Sequence, residues 1–172
     1  MKKVLVVVDM QNDFIDGALG TAEAVSIVPY VRARAESFSG DVIFTRDTHE
    51  NGYLSTQEGK KLPVPHCIYG THGWEICDAL APFVGKAVIN KPTFGSYELV
   101  ELLKEMDKRE KIGEIELVGL CTDICVISNA LLIKAAFLDA EVSVDSQGCA
   151  GVTPSSHNNA LEAMKMCQIT IK

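Results

Sequence analysis

The run IELVGLCTDICVISNALLIKAAFL, residues 115–138, is the stretch on which the fold turns. Its opening, Ile115 to Leu120, is apolar apart from Glu116, the pattern of a strand covered on both faces. Its second part predicts a helix from about Asp123 to Leu138. Between the two lies a polar knot, Cys121-Thr122-Asp123-Ile124-Cys125. Strand, knot and helix in that order describe one step of a crossover connection.

The same step recurs on both sides of it. Short β-branched runs predict strands at VLVVVD from Val4, VIFTR from Val42, AVIN from Ala87, VSVD from Val142 and ITI at Ile169. Helical periodicity marks Ser26–Phe38, Ser96–Lys108 and Pro154–Met166; in the second of these Leu99, Val100, Leu102, Leu103 and Met106 gather toward one side. Strands apolar on both faces need helices on both faces, and parallel strands need long connections that supply them. The expectation is an α/β fold, a Rossmann-like three-layer α/β/α sandwich around a parallel sheet of about six strands. No repeat, low-complexity tract or linker divides the 172 residues, so a single domain over 1–172 is expected. One long irregular segment stands out, between Asp47 and Trp74.

Composition narrows the partners. A formal net charge of −7 disfavours nucleic acid and anionic membranes, which attract clustered Lys and Arg. No apolar run approaches the length of a membrane-spanning helix. The start, MKKVLVVVDMQNDF, is basic and then apolar, but Asp9 interrupts it and no small-residue cleavage site follows, so it reads as a strand and the setting as cytoplasmic. Six cysteines without an export signal or a CxxC pair read as reduced thiols rather than a disulfide framework or a zinc ribbon.

Open parallel sheets bind ligands beyond the carboxyl ends of their strands. There the sequence sets Asp9, Arg46 with Asp47, Lys91, Cys121 to Cys125, and Asp145 with Ser146. Thr122 is a candidate helix N-cap, which would put the Cys125 thiol in a first turn that favours an anion. Packing as a small apolar residue is the competing account of Cys125. Asp9 ends a run of apolar residues, where a carboxylate needs a partner, and Lys91 ends another; an ion pair explains both, and adding Cys125 makes a base, a cation and a nucleophile. In the long segment, Asp47, His49, Glu58 and His66 offer two imidazoles and two carboxylates, a set suited to zinc, iron or manganese and equally found in ordinary polar loops. His72 and His157 read as solvated or capping side chains.

Three motifs in order, DMQNDF after the first strand, INKPTFGSY after the third and GLCTDICV opening a helix, resemble the isochorismatase-like cysteine hydrolases over nearly the whole chain. The resemblance implies a catalytic triad of Asp9, Lys91 and Cys125, a cis peptide between Leu120 and Cys121, and an oxyanion hole from the backbone amides of Cys121 and Cys125. Asp47-Thr48-His49 and the segment ending PHCIYGTHGW are similar to the nicotinamidase branch, implying a divalent transition metal on Asp47, His49 and His66 with Glu58 as a fourth candidate. Phe14 would stack on the substrate ring, whereas Pro63 stands where that branch usually has an aromatic residue. The expected partner is a small amide, nicotinamide first, and the expected assembly a homo-oligomer. The alternatives are a cysteine hydrolase of another small amide or ureido compound, favoured by Pro63, and a catalytically silent α/β binding module.

Overall fold

The computed structural model describes residues 1–85 and 88–172. Six strands, β1 (Lys2–Val8), β2 (Asp41–Asp47), β3 (Val88–Lys91), β4 (Ile112–Leu120), β5 (Glu141–Ala150) and β6 (Thr170–Ile171), build one sheet in the order β3-β2-β1-β4-β5-β6. Every neighbouring pair is parallel. Ala87, placed in the third strand by the sequence, lies outside the described residues. The chain winds outward from β1 to β3 and then returns to set β4 on the other side of β1, so strand order reverses between β1 and β4.

Alternation within β1 divides the core. Leu5 and Val7 face α2 (Ala22–Ser37) and the segment around Ile76, Cys77 and Leu80, while Val4, Val6 and Val8 face α4 (Tyr97–Arg109), α5 (Ile127–Ala136) and α6 (Pro154–Met166). The three layers expected from the sequence are therefore present. Helix starts are fixed by hydroxyl caps: Thr21 accepts from Ala24 N at 3.0 Å, Ser96 from Leu99 N at 3.1 Å and Thr153 from Ser156 N at 3.1 Å. The Thr21 cap moves the start of α2 to Ala22, earlier than the expected Ser26, and leaves Pro29 inside the helix. The long segment is also less irregular than expected, since it folds α3 (Gln57–Lys61) and two short 3-10 turns, Tyr53–Ser55 and His72–Trp74. A further short helix, α1 (Asn12–Ile15), follows β1.

One expectation at the sheet edge is corrected. β5 continues past Asp145 to Ala150, with a shift of register opposite Leu117 to Gly119. Asp145 and Ser146 therefore lie away from the carboxyl edge: the Asp145 carboxylate accepts the Tyr30 hydroxyl at 2.7 Å, and Ser146 bonds the Lys172 carbonyl. Gly151 and Val152 take their place at the edge. On β4, Gly119 adopts φ 118°, and a Cβ there would meet the Val8 carbonyl oxygen at 2.1 Å. Only glycine lets β4 come this close to the end of β1. Among the described residues no helix is long and apolar enough to cross a membrane.

Candidate active site

The site begins where β1 ends. Asp9 takes a left-handed φ of 46°, which turns its side chain out of the strand's alternation. Its amide points to Thr45 on β2, and the Thr45 hydroxyl donates to Asp9 Oδ1 at 2.6 Å. Oδ2 lies 2.6 Å from Lys91 Nζ and has no hydrogen-bond donor besides that ion-pair partner among the described residues. The Lys91 side chain is fully buried. Its ammonium also donates to the Thr93 carbonyl at 3.2 Å and to Cys125 Sγ at 3.3 Å. The structure thus brings Asp9, Lys91 and Cys125 into one contact from three different strand ends.

Cys125 sits in a π-turn, Thr122–Val126, that precedes α5. The amides of Ile124 and Val126 both turn back to the Cys121 carbonyl, at 3.1 and 3.0 Å. The peptide between Leu120 and Cys121 is cis. Thr122 does not cap the turn, contrary to the sequence reading: its side chain is buried and meets His157 Nδ1 at 2.8 Å, which also gives His157 a structural partner. Nor is the thiol poised as an anion. Burial, and then the neighbouring Asp9 carboxylate, push the Cys125 pKa well above that of a free cysteine, so that at neutral pH it is protonated. Burial also raises Asp9, against the opposing pull of Lys91, which makes it a stronger base than a surface carboxylate. Burial alone would lower Lys91, but Asp9, Cys125 and Asp47 outweigh it and hold the ammonium charged. A charged ammonium thus lies between a thiol and a carboxyl group that burial has made more basic.

Asp47, His49 and His66 come together beside this group, with one ligand atom of each lying within 4.8 Å of the others. Asp47 Oδ2 is 2.9 Å from His49 Nε2 and 3.6 Å from His66 Nε2. His66 Nδ1 donates to the Val64 carbonyl at 2.8 Å, which leaves Nε2 as the lone-pair nitrogen. His49 Nε2 is buried and, although close to the Asp47 carboxylate, makes no hydrogen bond of acceptable geometry. An orphaned buried imidazole nitrogen, a second imidazole fixed in its ligand tautomer and an acidic carboxylate fit a divalent transition metal. Glu58 lies at the margin: its Oε1 is 3.7 Å from His49 Nε2, and it is not one of the converging three.

Above both groups opens a cavity of about 550 Å³. Asp47, His66, Cys121 and Cys125 reach it, and Phe14, Leu19, Leu62, Phe94, Ile124 and Val152 furnish apolar walls. Phe14 stands 5.5 Å from the His66 ring, centroid to centroid. Pro63 is exposed and is not among the lining residues.

Three supporting residues escaped the sequence reading. Gln11 donates to the carbonyls of Asp47 and Trp74 at 2.9 and 2.8 Å and accepts from Asp47 N at 2.7 Å, tying the long segment to the end of β1. Thr45 orients Asp9. Asn129, fully buried on α5, donates to the carbonyls of Cys125 and Phe94 at 2.8 and 3.0 Å and accepts from Ser96 N at 2.9 Å, joining the cysteine turn to the loop after Lys91. The available signal was an amide side chain, next to Ser128, within the largely apolar run ISNALLI.

Known proteins share this architecture. The nicotinamidase/pyrazinamidase of Mycobacterium tuberculosis is 28% identical over 185 residues, covering 98% of this chain and 97% of the relative. The crystal structure of the pyrazinamidase of Pyrococcus horikoshii in complex with zinc superposes with a TM-score of 0.82 at 28% identity, over 100% of this chain and 99% of that one. The N-carbamoylsarcosine amidase from Thermoplasma acidophilum gives a TM-score of 0.80 at 26% identity, over 100% and 96% of the two chains. The isochorismatase domain pattern matches residues 3–172, and the chain belongs to the isochorismatase family.

Proposed function

We propose that this protein is a nicotinamidase, converting nicotinamide to nicotinate and ammonia through a thioester on Cys125. As a member of its family it is a hydrolase acting on amide carbon–nitrogen bonds. The observation that carries the finer reading is the adjacency, in one cavity, of the Asp9–Lys91–Cys125 contact and the Asp47, His49 and His66 cluster. Asp9 Oδ2, whose partner is the Lys91 ammonium, takes the thiol proton as Sγ attacks the amide carbon. Lys91, in contact with both groups, balances the single negative charge as it passes from Asp9 to Sγ. The backbone amides of Cys121 and Cys125 hold the oxyanion. Asp9 then returns its proton to the departing ammonia. Water, deprotonated by Asp9, attacks the thioester, and collapse of the second oxyanion releases the acid and restores the Cys125 thiol.

Asp47, His49 and His66 would hold a divalent transition metal, zinc, iron or manganese, with Glu58 beside them, and the bound ion would supply a Lewis acid for the pyridine nitrogen. Phe14 would lie against the ring. The same reading carries a single hydrolase domain over residues 1–172, a cytoplasmic homo-oligomer and a role in the salvage of pyridine nucleotides.

A second reading, hydrolysis of another small amide or ureido compound, is favoured by one observation: Pro63 is exposed and contributes nothing to the cavity. Ammonia release from a panel of amides, with and without chelator, separates the two. Nicotinamide turnover that disappears on chelation and returns with metal supports the first. Turnover of ureido compounds with nicotinamide untouched supports the second.

A further inference from the structure

The stretch GVTPSSH, residues 151–157, fixes one imidazole against the turn that carries Cys125. A Cβ on Gly151 would meet the backbone nitrogen, Cα and Cβ of His157, each at 2.9 Å, so glycine is what lets the first turn of α6 close on the end of β5. That first turn is held by a capping box: Thr153 Oγ1 accepts from Ser156 N at 3.1 Å, and Ser156 Oγ accepts from Thr153 N at 3.0 Å. His157 follows at once, its amide donating to the Thr153 carbonyl at 2.9 Å. Backbone packing therefore sets its position, and from there Nδ1 meets Thr122 Oγ1 at 2.8 Å, 35 residues away in sequence.

Thr122 opens the π-turn, yet its hydroxyl makes no local bond. A threonine so placed ordinarily caps the turn it begins, and this turn has no side-chain cap. Thr122 is wholly buried, and among the described residues its hydroxyl has no hydrogen-bond partner but His157. A buried hydroxyl proton needs an acceptor, so Oγ1 donates to Nδ1 and the ring proton is on Nε2. Burial agrees with this, since it lowers the His157 pKa against the opposing pull of Asp123 and leaves the ring neutral at neutral pH. Asp123 makes a second tie in the same direction, its carboxylate accepting from Val152 N at 3.2 and 3.3 Å. Both residues between Cys121 and Ile124 are thus fastened to the β5–α6 connection. We propose that His157 is a positioning residue of the hydrolysis: by holding Thr122 it fixes the turn that presents the Cys121 and Cys125 amides to the oxyanion. This inference rests on the reading of Cys125 as nucleophile and not on which amide is cleaved. His157 does not line the large cavity, so its loss falls on the transition state rather than on substrate binding.

The test is ammonia release by the full-length, metal-loaded protein, from nicotinamide or, where nicotinamide is not cleaved, from whichever amide of the panel is. The variants are His157→Phe, His157→Asn, Thr122→Val and the double variant of His157→Phe with Thr122→Val. His157→Phe keeps a ring on α6 without an acceptor, whereas the carbonyl oxygen of an Asn side chain stands in for Nδ1. Removing an oxyanion donor outright costs about 100–1000-fold in kcat, so displacing the pair should cost His157→Phe about 10–100-fold at unchanged KM. His157→Asn should recover most of that loss. Thr122→Val should match His157→Phe, and the double variant should be no worse than either, because the two residues share one interaction. Alkylation of Cys125 by iodoacetamide builds no oxyanion and should keep the parent rate throughout. Parent kcat in Thr122→Val, which is isosteric and carries the test even where His157→Phe does not fold, overturns the inference and leaves the nucleophile standing. So does an equal loss in His157→Asn and His157→Phe, or a loss confined to KM. Alkylation that changes in step with kcat moves the effect to the thiol and overturns the assignment to the oxyanion amides. A parent that releases ammonia from no amide, or a Cys125→Ala variant that still does, removes the nucleophile reading and the inference with it.

Discussion

Asn129 offers the sharpest test of how the site is held. Its side chain satisfies three backbone groups, the Ser96 amide and the carbonyls of Phe94 and Cys125, at 2.9, 3.0 and 2.8 Å, and it is wholly buried. Asn129→Ala strands all three. A buried polar group left unpaired costs about 1–3 kcal/mol, and allowing for partial relaxation the variant should lose about 3–5 kcal/mol of stability. Activity should fall as well, although Asn129 touches no reacting atom. Phe94 adjoins Thr93, whose carbonyl holds Lys91 Nζ at 3.2 Å, and the Cys125 carbonyl belongs to the residue proposed as nucleophile. Small displacements of such groups cost on the order of 100-fold, and the loss should lie in kcat rather than KM. Asn129→Asp separates positioning from bulk. It keeps the acceptor for Ser96 but turns an anion toward two carbonyls in a dry site, so its folded pKa must rise above the unfolded value of about 4. Its penalty is therefore absent below that pH and grows as pH rises through the interval between the two values. Denaturant unfolding from pH 4 to 8, read beside kcat and KM, gives both quantities. If Asn129→Ala unfolds within about 1 kcal/mol of the parent at unchanged kcat, the residue merely fills space and this reasoning fails.

The thiols make a second prediction: at neutral pH iodoacetamide should modify exposed Cys167 first with activity retained, and buried, protonated Cys125 slowly with activity lost in proportion; mass spectrometry after partial labelling reads the order, and early modification of Cys125 would contradict its raised pKa. For the metal cluster, His49→Ala should lower both bound transition metal by elemental analysis and nicotinamide turnover, while Glu58→Ala, outside the converging three, should weaken metal binding by about 10–100-fold at most. Full turnover in protein verified as metal-free would return these residues to an ordinary polar loop. Far from the site, the buried Glu116 carboxylate accepts from Arg34 at 2.6 and 2.9 Å and from Lys172 at 2.7 Å. Burial raises its pKa, but these partners outweigh burial and leave it lowered. Its contribution is thus present above the unfolded glutamate value of about 4.3 and is lost as pH falls through the folded one. Glu116→Gln should cost about 2–3 kcal/mol at pH 7, less than a fully buried pair because Arg34 and Lys172 reach water, and should flatten the acid limb of the melting-temperature profile.

How much of this could be read from the sequence depends on the range of the interaction involved. Strand runs such as VLVVV and the chemistry at their ends were legible, because burial on both faces writes itself as unbroken apolar residues and any charge that ends such a run needs a reason. Asp9 and Lys91 were found on that ground, and the structure pairs them at 2.6 Å. The end of β5 was misread because Asp145, Ser146 and Gly148 look like turn residues, while a register shift against β4 absorbs them inside the strand. The state of Cys125 was misread for a related reason. A first helical turn is a local feature that lowers a thiol pKa, whereas depth of burial and the Asp9 carboxylate arrive through tertiary structure and raise it. Gln11, Thr45 and Asn129 stayed hidden because a buried polar side chain is defined by partners distant in sequence.

The strand order explains why the cation of the site is a lysine and why it comes from β3. Asp47 is the register partner of Lys91 on the adjacent β2, and β1 with Asp9 lies one strand further, so the side chains of Lys91 and Asp9 must together bridge about 10 Å of sheet. A long flexible stem with a compact head makes that reach, and the head then sits 2.6 Å from Asp9, 3.3 Å from Cys125 Sγ and 3.7 Å from Asp47 Oδ1. One ammonium therefore faces the proposed base, the proposed nucleophile and a carboxylate of the candidate metal cluster together. Taking its charge away would leave the buried Asp9 carboxylate without its ion-pair partner and would remove the positive charge that faces Cys125 Sγ and Asp47. Neutralising Lys91 accordingly weakens both halves of the site, which is why the triad and the metal cluster are better regarded as one electrostatic unit than as neighbours.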